Sequence, residues 1–339
     1  MKLTQPSFYD DFRCLAGACP DSCCQEWDVD VDEASAQRYL ALPGALGDAL
    51  REHLKQDEDG DYYLQITDRR CPMWREDGLC RIQAQLGEEG LCSVCHQFPR
   101  LRHDYGDFVE LGLELSCPEA ARLILTTPPQ PPIVRQVPGG EDPEYDREAM
   151  DVLLRTRQDA LKILSDYALP DALALLLLYG YRAQEELDGG EPAFCDPDAD
   201  LPLARKLASG GSAEALQQFY LGLDILTPRW KALLESPAPL SDWPDTLRAL
   251  ARYGVERYWL QAVSDYDLVC RVKMIVAACI LVRSLGGSVL ETAQLYSKEI
   301  ENNASNVDAL LDGAYTESCF ADTALLGLLT NFAEGETSL

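Results

Sequence analysis

The residues in this sequence best suited to chemistry are its cysteines. CLAGACPDSCCQEW (14–27) carries Cys14, Cys19, Cys23 and Cys24, and Cys71, Cys80, Cys92, Cys95 and Cys117 follow. Nine of the 13 cysteines in this 339-residue chain thus fall between Cys14 and Cys117. Clustered thiolates are ligands for soft metal centres, zinc or iron–sulfur. The odd total, and an N-terminus (MKLTQPSFYDDFRC) without an apolar secretory stretch, argue against a disulfide scaffold. A reducing, cytoplasmic setting is expected.

Adjacent thiols are awkward ligands for one ion. Side chains at i and i+1 diverge by about 100° on a helix and about 180° on a strand. Cys23 and Cys24 are therefore expected to differ in role. One suits a centre with Cys14 and Cys19. The other suits a second centre, or a core shared with Cys71, Cys80, Cys95 or Cys117. Spacing leaves zinc and iron open: only Cys92/Cys95 and Cys19/Cys23 approach a zinc knuckle, and the common ferredoxin spacings are absent. With His53, His96 and His103 as the complete histidine set, a His-rich site is excluded. His96, beside Cys95, reads as a packed neighbour rather than half of a catalytic dyad. No phosphate-binding loop, G-x-S-x-G elbow, H-E-x-x-H motif or Rossmann-type glycine turn is present.

The elements that must position these thiols read as mainly α: a small cysteine-rich α/β N-terminal module, then a larger all-helical region. The module covers 1–126. Asp32 caps a helix that ends at Pro43-Gly44, YYLQI (62–66) is of β type, and GLCRIQAQLGEEG (78–90) reads as a helix between glycines. FPRLRHDYGDFVELGLEL (98–115) reads as a hairpin turning near 104–107, and Pro118 opens the helix that follows. TPPQPPIVRQVPGGEDPEYD (127–146) reads as a linker or extended crossing segment. From 147 to 339 helices are expected over 147–166, 170–187, 213–235, 244–262, 268–285, 289–302 and 305–313, with a last one within 320–333.

Charge narrows the partners. Against 29 Lys and Arg stand 57 Asp and Glu, a net charge of −28. Nucleic acid is disfavoured as a partner, since phosphate binding needs clustered cations. The longest apolar runs, 173–181 and 274–282, fall well short of the roughly 20 residues a membrane helix needs. No membrane insertion is expected.

An ordered series of segments resembles the bacterial flagellin lysine-N-methylases: FRCLAGACPDSCCQEWDVDVD (12–32), CPMWREDGLCRIQAQLGEEGLCSVCHQFPR (71–100), LELSCPEAARLIL (113–125), VERYWLQ (255–261) and LYSKEIENNASNVDALLD (295–312). The resemblance implies methyl transfer from S-adenosylmethionine to lysine side chains of flagellin. It also implies an iron–sulfur cluster of the 4Fe-4S kind, with zinc as the alternative metal. Its implied ligands are Cys14, Cys19, Cys23, Cys24, Cys71, Cys80, Cys95 and Cys117; Cys92 matches no regular family cysteine. Asn302 stands where the family often has His. Cys19-x3-Cys23 matches only the first half of the radical S-adenosylmethionine motif, so radical chemistry is not assigned.

Lysine methylation sets its own requirement. The ammonium has no lone pair and a pKa near 10.4, so the site must take up its proton. Carboxylates and phenols in the last motif are the candidates: Tyr296, Glu299 and Glu301. At α-helical spacing Tyr296 and Glu299 share one face, and Ser297 and Glu301 another. Glu256 and Tyr258 form a further pair. The competing reading is a non-enzymatic iron–sulfur or zinc protein, an interaction or electron-carrier module.

Overall fold

The computed structural model describes residues 1–23, 29–68 and 70–334. Cys24 lies outside them, and with it the expected divergence of the adjacent thiols. The first part of the chain mixes short strands and helices: β1 (Lys2–Gln5), β2 (Val29–Val31), α1 (Glu33–Ala41), α2 (Gly44–His53), β3 (Leu54–Gln56), β4 (Tyr62–Leu64), α3 (Arg81–Leu86), α4 (Ser93–Gln97), β5 (Arg100–Asp104), β6 (Phe108–Leu113), α5 (Pro118–Thr126) and β7 (Ile133–Gln136). From residue 147 the chain is helical: α6 (Arg147–Asp166), α7 (Leu169–Leu187), α8 (Pro197–Leu207), α9 (Ala213–Leu221), α10 (Pro228–Glu235), α11 (Asp245–Tyr258), α12 (Val269–Leu285), α13 (Val289–Tyr296), α14 (Ala304–Thr316) and α15 (Asp322–Glu334). The expected fold class, mainly α with a mixed N-terminal part, is the one observed.

Two sheets organise the N-terminal part. One has the order β5-β6-β1-β7, with β1 parallel to β6 and antiparallel to β7. Leu3 pairs with Val109 on one side and Arg135 on the other. The hairpin β5–β6 turns at Asp104–Phe108 as its alternation predicts. The Pro/Gly-rich stretch expected as a linker or crossing segment contributes β7. The other sheet, β2-β4-β3, is antiparallel throughout.

Two hydrophobic cores follow from this layout. A small one gathers Val29, Tyr39, Leu50, Leu64, Met73 and Ile82 with Cys71 and Cys92. The large one includes the helices and also takes in Phe12, Leu113, Leu115 and the apolar face of α5. Its centre is α12, buried on every side. The apolar residues of α12 belong in the interior, where each Leu or Ile side chain contributes about 1.5–3 kcal/mol of burial, and its Arg271, Lys273 and Arg283 are buried with partners. Helix α11 packs closely on it: a Cβ added at Gly254 would lie 2.8 Å from Ile275 Cγ1. Among the described residues no helix is long and apolar enough to cross a membrane.

Asp32 joins local to tertiary structure. Its side chain caps α1 by accepting from Ser35 N at 3.0 Å, and its other oxygen accepts from Ser93 N at 2.9 Å. It therefore holds the Cys92–Cys95 turn against β2 and α1. These backbone hydrogen bonds, Ser93 first, keep its carboxyl well below the ordinary value. A carboxylate depressed by folding contributes stability above its unfolded pKa, and loses it as pH falls. Asp32→Ala should lose about 1–2 kcal/mol at pH 7 in denaturant titration. The deficit should shrink as pH falls below about 4, where the unfolded chain's carboxylate takes up a proton while the folded one is still held ionised.

Candidate functional site

The last family-like segment does not continue as an α-helix. Ser297–Glu301 form a π-turn between α13 and α14. Its i→i+5 bonding widens the turn, and such turns recur at functional sites. The wider turn changes which side chains are neighbours. Tyr296 and Glu301, placed on different faces by α-helical spacing, line one small cavity together with Tyr253, Tyr258, Met274 and Ile275. Glu299 points elsewhere. Buried completely, its carboxylate accepts from Leu226 N at 2.7 Å, Thr227 N at 2.8 Å and Thr227 Oγ1 at 2.5 Å, just ahead of α10. Burial pushes its carboxyl up, while those three donors oppose the shift.

Glu301 is the hub of the cavity. Its side chain is 5% exposed. Oε2 accepts from Tyr253 OH at 2.8 Å and from Ser297 Oγ. Arg257 Nε stands 3.9 Å from the same oxygen and donates to Tyr258 OH at 3.0 Å. Burial raises the hydroxyls of Tyr253, Tyr258 and Tyr296 well above the ordinary phenol value. All three remain neutral hydroxyls around one carboxylate. Arg257 Nη1 is buried with no hydrogen-bond partner among the described residues, so the cluster retains an open donor. The cavity, about 10 Å³, has room for one water-sized group.

Three other family-like segments meet here. Leu115 N, at the end of the LELSC stretch, donates to Tyr253 OH at 3.4 Å. VERYWLQ supplies Tyr258 and Arg257. The cysteine loop arrives through Asp21, which accepts from Lys298 Nζ at 2.9 and 3.1 Å and from Gln294 Nε2 at 2.8 Å. Gln294 also donates to Ser116 O at 2.6 Å, next to Cys117. Segments up to 277 positions apart are thus joined by direct hydrogen bonds. Glu256, weighed with Tyr258, instead faces solvent and pairs with Arg252 at 2.9 Å.

The thiols gather in two groups. Cys19 feels the charges of Cys14 and Cys23, and Cys117 those of Cys19 and Cys23. Cys71 feels Cys80, Cys92 and Cys23, and Cys80 feels Cys23 and Cys92. Cys23 therefore stands within electrostatic reach of both groups. Burial is the larger cause of the upward shifts, to about 11 at Cys71 and about 12 at Cys117; neighbouring thiolates add to it. Cys92 shifts the other way, because the Cys95 thiol hydrogen-bonds to its sulfur. Cys92 is 1% exposed and shares the small core with Cys71. Its C-x2-C spacing was the available signal for a place beside Cys71, Cys80 and Cys95. His96 lies on the exposed side of α4, 3.8 Å from Glu88.

In donor chemistry these thiols fit a soft metal centre, whose cation would offset their mutual repulsion. No three Cys, His, Asp or Glu side chains among the described residues are drawn together as a finished metal-binding group. The donors are assembled in kind and neighbourhood, not yet as a cage.

Fold and site together define a mainly α protein in which a cysteine-rich N-terminal part is hydrogen-bonded to the turn that carries a buried carboxylate–phenol cluster. No family model and no solved structure matches this chain. Curated proteins do. Over 132 residues it is 36% identical to a lysine-N-methylase of Salmonella choleraesuis, a match covering 37% of this chain and 33% of that one. A lysine-N-methylase of Salmonella typhimurium is 35% identical over the same length, again with 33% of it covered. The flagellar biosynthetic protein FliU of Salmonella muenchen is 35% identical over 132 residues, which make up 78% of it. The chain belongs to the family of FliU and these lysine-N-methylases. Its match spans about a third of the length of the lysine-N-methylases.

Proposed function

We propose that this chain is a protein-lysine N-methyltransferase that uses S-adenosylmethionine and acts on flagellin, with Glu301 as proton acceptor. The observation that carries this reading is the meeting of three family-like segments, 113–125, 255–261 and 295–312, around one buried carboxylate ringed by neutral phenols. The names of the relatives supply the lysine and the flagellar context.

The chemistry balances within the cluster. Glu301 takes the proton from the lysine ammonium and frees the nitrogen lone pair. The hydroxyls of Tyr253, Tyr258 and Tyr296 orient the amine and exclude bulk water. The amine nitrogen gains the methyl group as the carbon–sulfonium bond of S-adenosylmethionine breaks. The sulfur keeps the bonding pair and leaves as a neutral thioether. Lysine in water is almost wholly protonated at pH 7, so a buried acceptor is what the site must supply. Tyr296 closes the cavity wall. Glu299, proposed from sequence as a catalytic group, is better suited to holding the Leu226–Thr227 segment ahead of α10.

The cysteines are proposed to hold an iron–sulfur cluster, zinc being the other metal that suits them. Cys14, Cys19, Cys23, Cys24, Cys71, Cys80, Cys95 and Cys117 are the candidate ligands, and the structure adds Cys92 beside Cys71, Cys80 and Cys95. Such a centre would supply structural closure or redox capacity. The transfer step above uses only the residues of the cavity.

The test is direct. Purified chain, S-adenosylmethionine and flagellin should give lysine-borne methyl units by intact and peptide mass spectrometry. No gain, with the metal retained, overturns the reading. Calorimetric binding of S-adenosylmethionine separates it from a non-enzymatic carrier. Anaerobic counting of iron, zinc and sulfide should show metal lost from Cys23→Ser and Cys92→Ser, and retained by Cys195→Ser, a thiol remote from both groups.

A further inference from the structure

We propose that Asp21 and Lys298 are a positioning pair that couples the order of the cysteine loop to the placement of Glu301. The inference rests on the site assigned above and extends it to how the two halves of that site communicate.

Lys298 is the second residue of the π-turn and is 1% exposed. Its ammonium donates to both carboxylate oxygens of Asp21, at 2.9 and 3.1 Å, and to Ser22 O at 3.3 Å. Asp21 lies two residues from Cys19 and two from Cys23. Gln294, one turn before Lys298, donates to the same carboxylate and to Ser116 O, the residue before Cys117. Two segments that carry thiols of the first group are therefore held by side chains of 294–298.

The same turn carries Ser297 and Glu301, which bond to each other, and Glu301 lines the cavity. A π-turn is a departure from regular helix and persists where surrounding contacts hold it. Lys298 contributes such a contact from inside the protein, where weakening an ion pair is costly. Asp21 is 23% exposed and tolerates change better. Displacing the cysteine loop therefore pulls on the turn, and shifting the turn releases the loop. The coupling is reciprocal, as any linkage between two sites must be.

The experiment reads both ends in the full chain. Iodoacetamide labelling of Cys19 and Cys23 reports the loop, and hydrogen exchange over 294–301 reports the turn. Asp21→Asn should raise both rates by about tenfold. Lys298→Met should raise the labelling rate similarly. The double variant should exceed neither single by more than about twofold, since both break the same Asp21–Lys298 pair. Asp21→Glu, which keeps a carboxylate, should recover both readouts to within about threefold of wild type. Faster labelling in Asp21→Asn with unchanged exchange over 294–301 overturns the proposal, and so do fully additive effects. If Lys298→Met fails to fold, Gln294→Leu takes its place in the cycle with the same expectations. Neither readout uses methyl transfer, so a chain without that activity still passes or fails this test on its own terms.

Discussion

Glu301→Gln should lower the rate of lysine methylation by roughly a hundredfold to ten-thousandfold, the range supplied by a positioned proton acceptor. The amide is nearly isosteric and can still accept from Tyr253 OH, which lies 2.8 Å from the carboxylate in the native site. Folding should therefore be little changed, and S-adenosylmethionine binding should persist. What is lost is the group that removes the ammonium proton, so the defect belongs in kcat rather than in the KM for either substrate. Raising the pH should partly restore the rate of Glu301→Gln, because free amine becomes more abundant toward the pKa of lysine near 10.4. The check is a pre-steady-state methyl-transfer rate at several pH values.

Glu299→Ala should have its large effect on stability. Three donors, Leu226 N, Thr227 N and Thr227 Oγ1, converge on that carboxylate in the interior. Truncation leaves them without their acceptor and opens space beside α10. The expected cost is about 3 kcal/mol in equilibrium denaturation. Transfer activity per folded molecule should stay within about threefold of wild type, because Glu299 does not touch the cavity. A third residue along the same turn thus behaves oppositely to its neighbour Glu301.

That contrast also marks what the sequence could and could not convey. Helix α6 was legible to the residue, since Asp146 caps it and the apolar stripe runs unbroken to its end. The hairpin was legible from its turn residues near 104–107 and the alternation of its second arm. The expected single helix over 213–235 is two, α9 and α10, divided after Gly222, where Thr227 caps a new start at Pro228. Helix α8 opens on the same kind of signal, Asp196-Pro197. Strands β1 and β7 pair with each other across about 130 residues, a partnership no local pattern encodes.

In the site, the residue types were legible and their grouping was not. Tyr296, Glu299 and Glu301 stand out as carboxylates and a phenol in one short stretch. Sorting them required the turn geometry: α-helical spacing joins Tyr296 to Glu299, whereas the π-turn joins Tyr296 to Glu301. Tyr253 was invisible as a partner because its role depends on α11 packing beside α5 and the Leu115 backbone ahead of it. Cys92 followed a related pattern. Its motif context set it apart, and burial in the small core places it with Cys71, Cys80 and Cys95.

The most direct measurement compares methyl incorporation into flagellin by wild type, Glu301→Gln and Glu299→Ala, each normalised to its folded, metal-retaining fraction. The account predicts transfer by wild type and Glu299→Ala and a near-complete loss in Glu301→Gln. Full transfer by Glu301→Gln, with loss in folded Glu299→Ala, would contradict it.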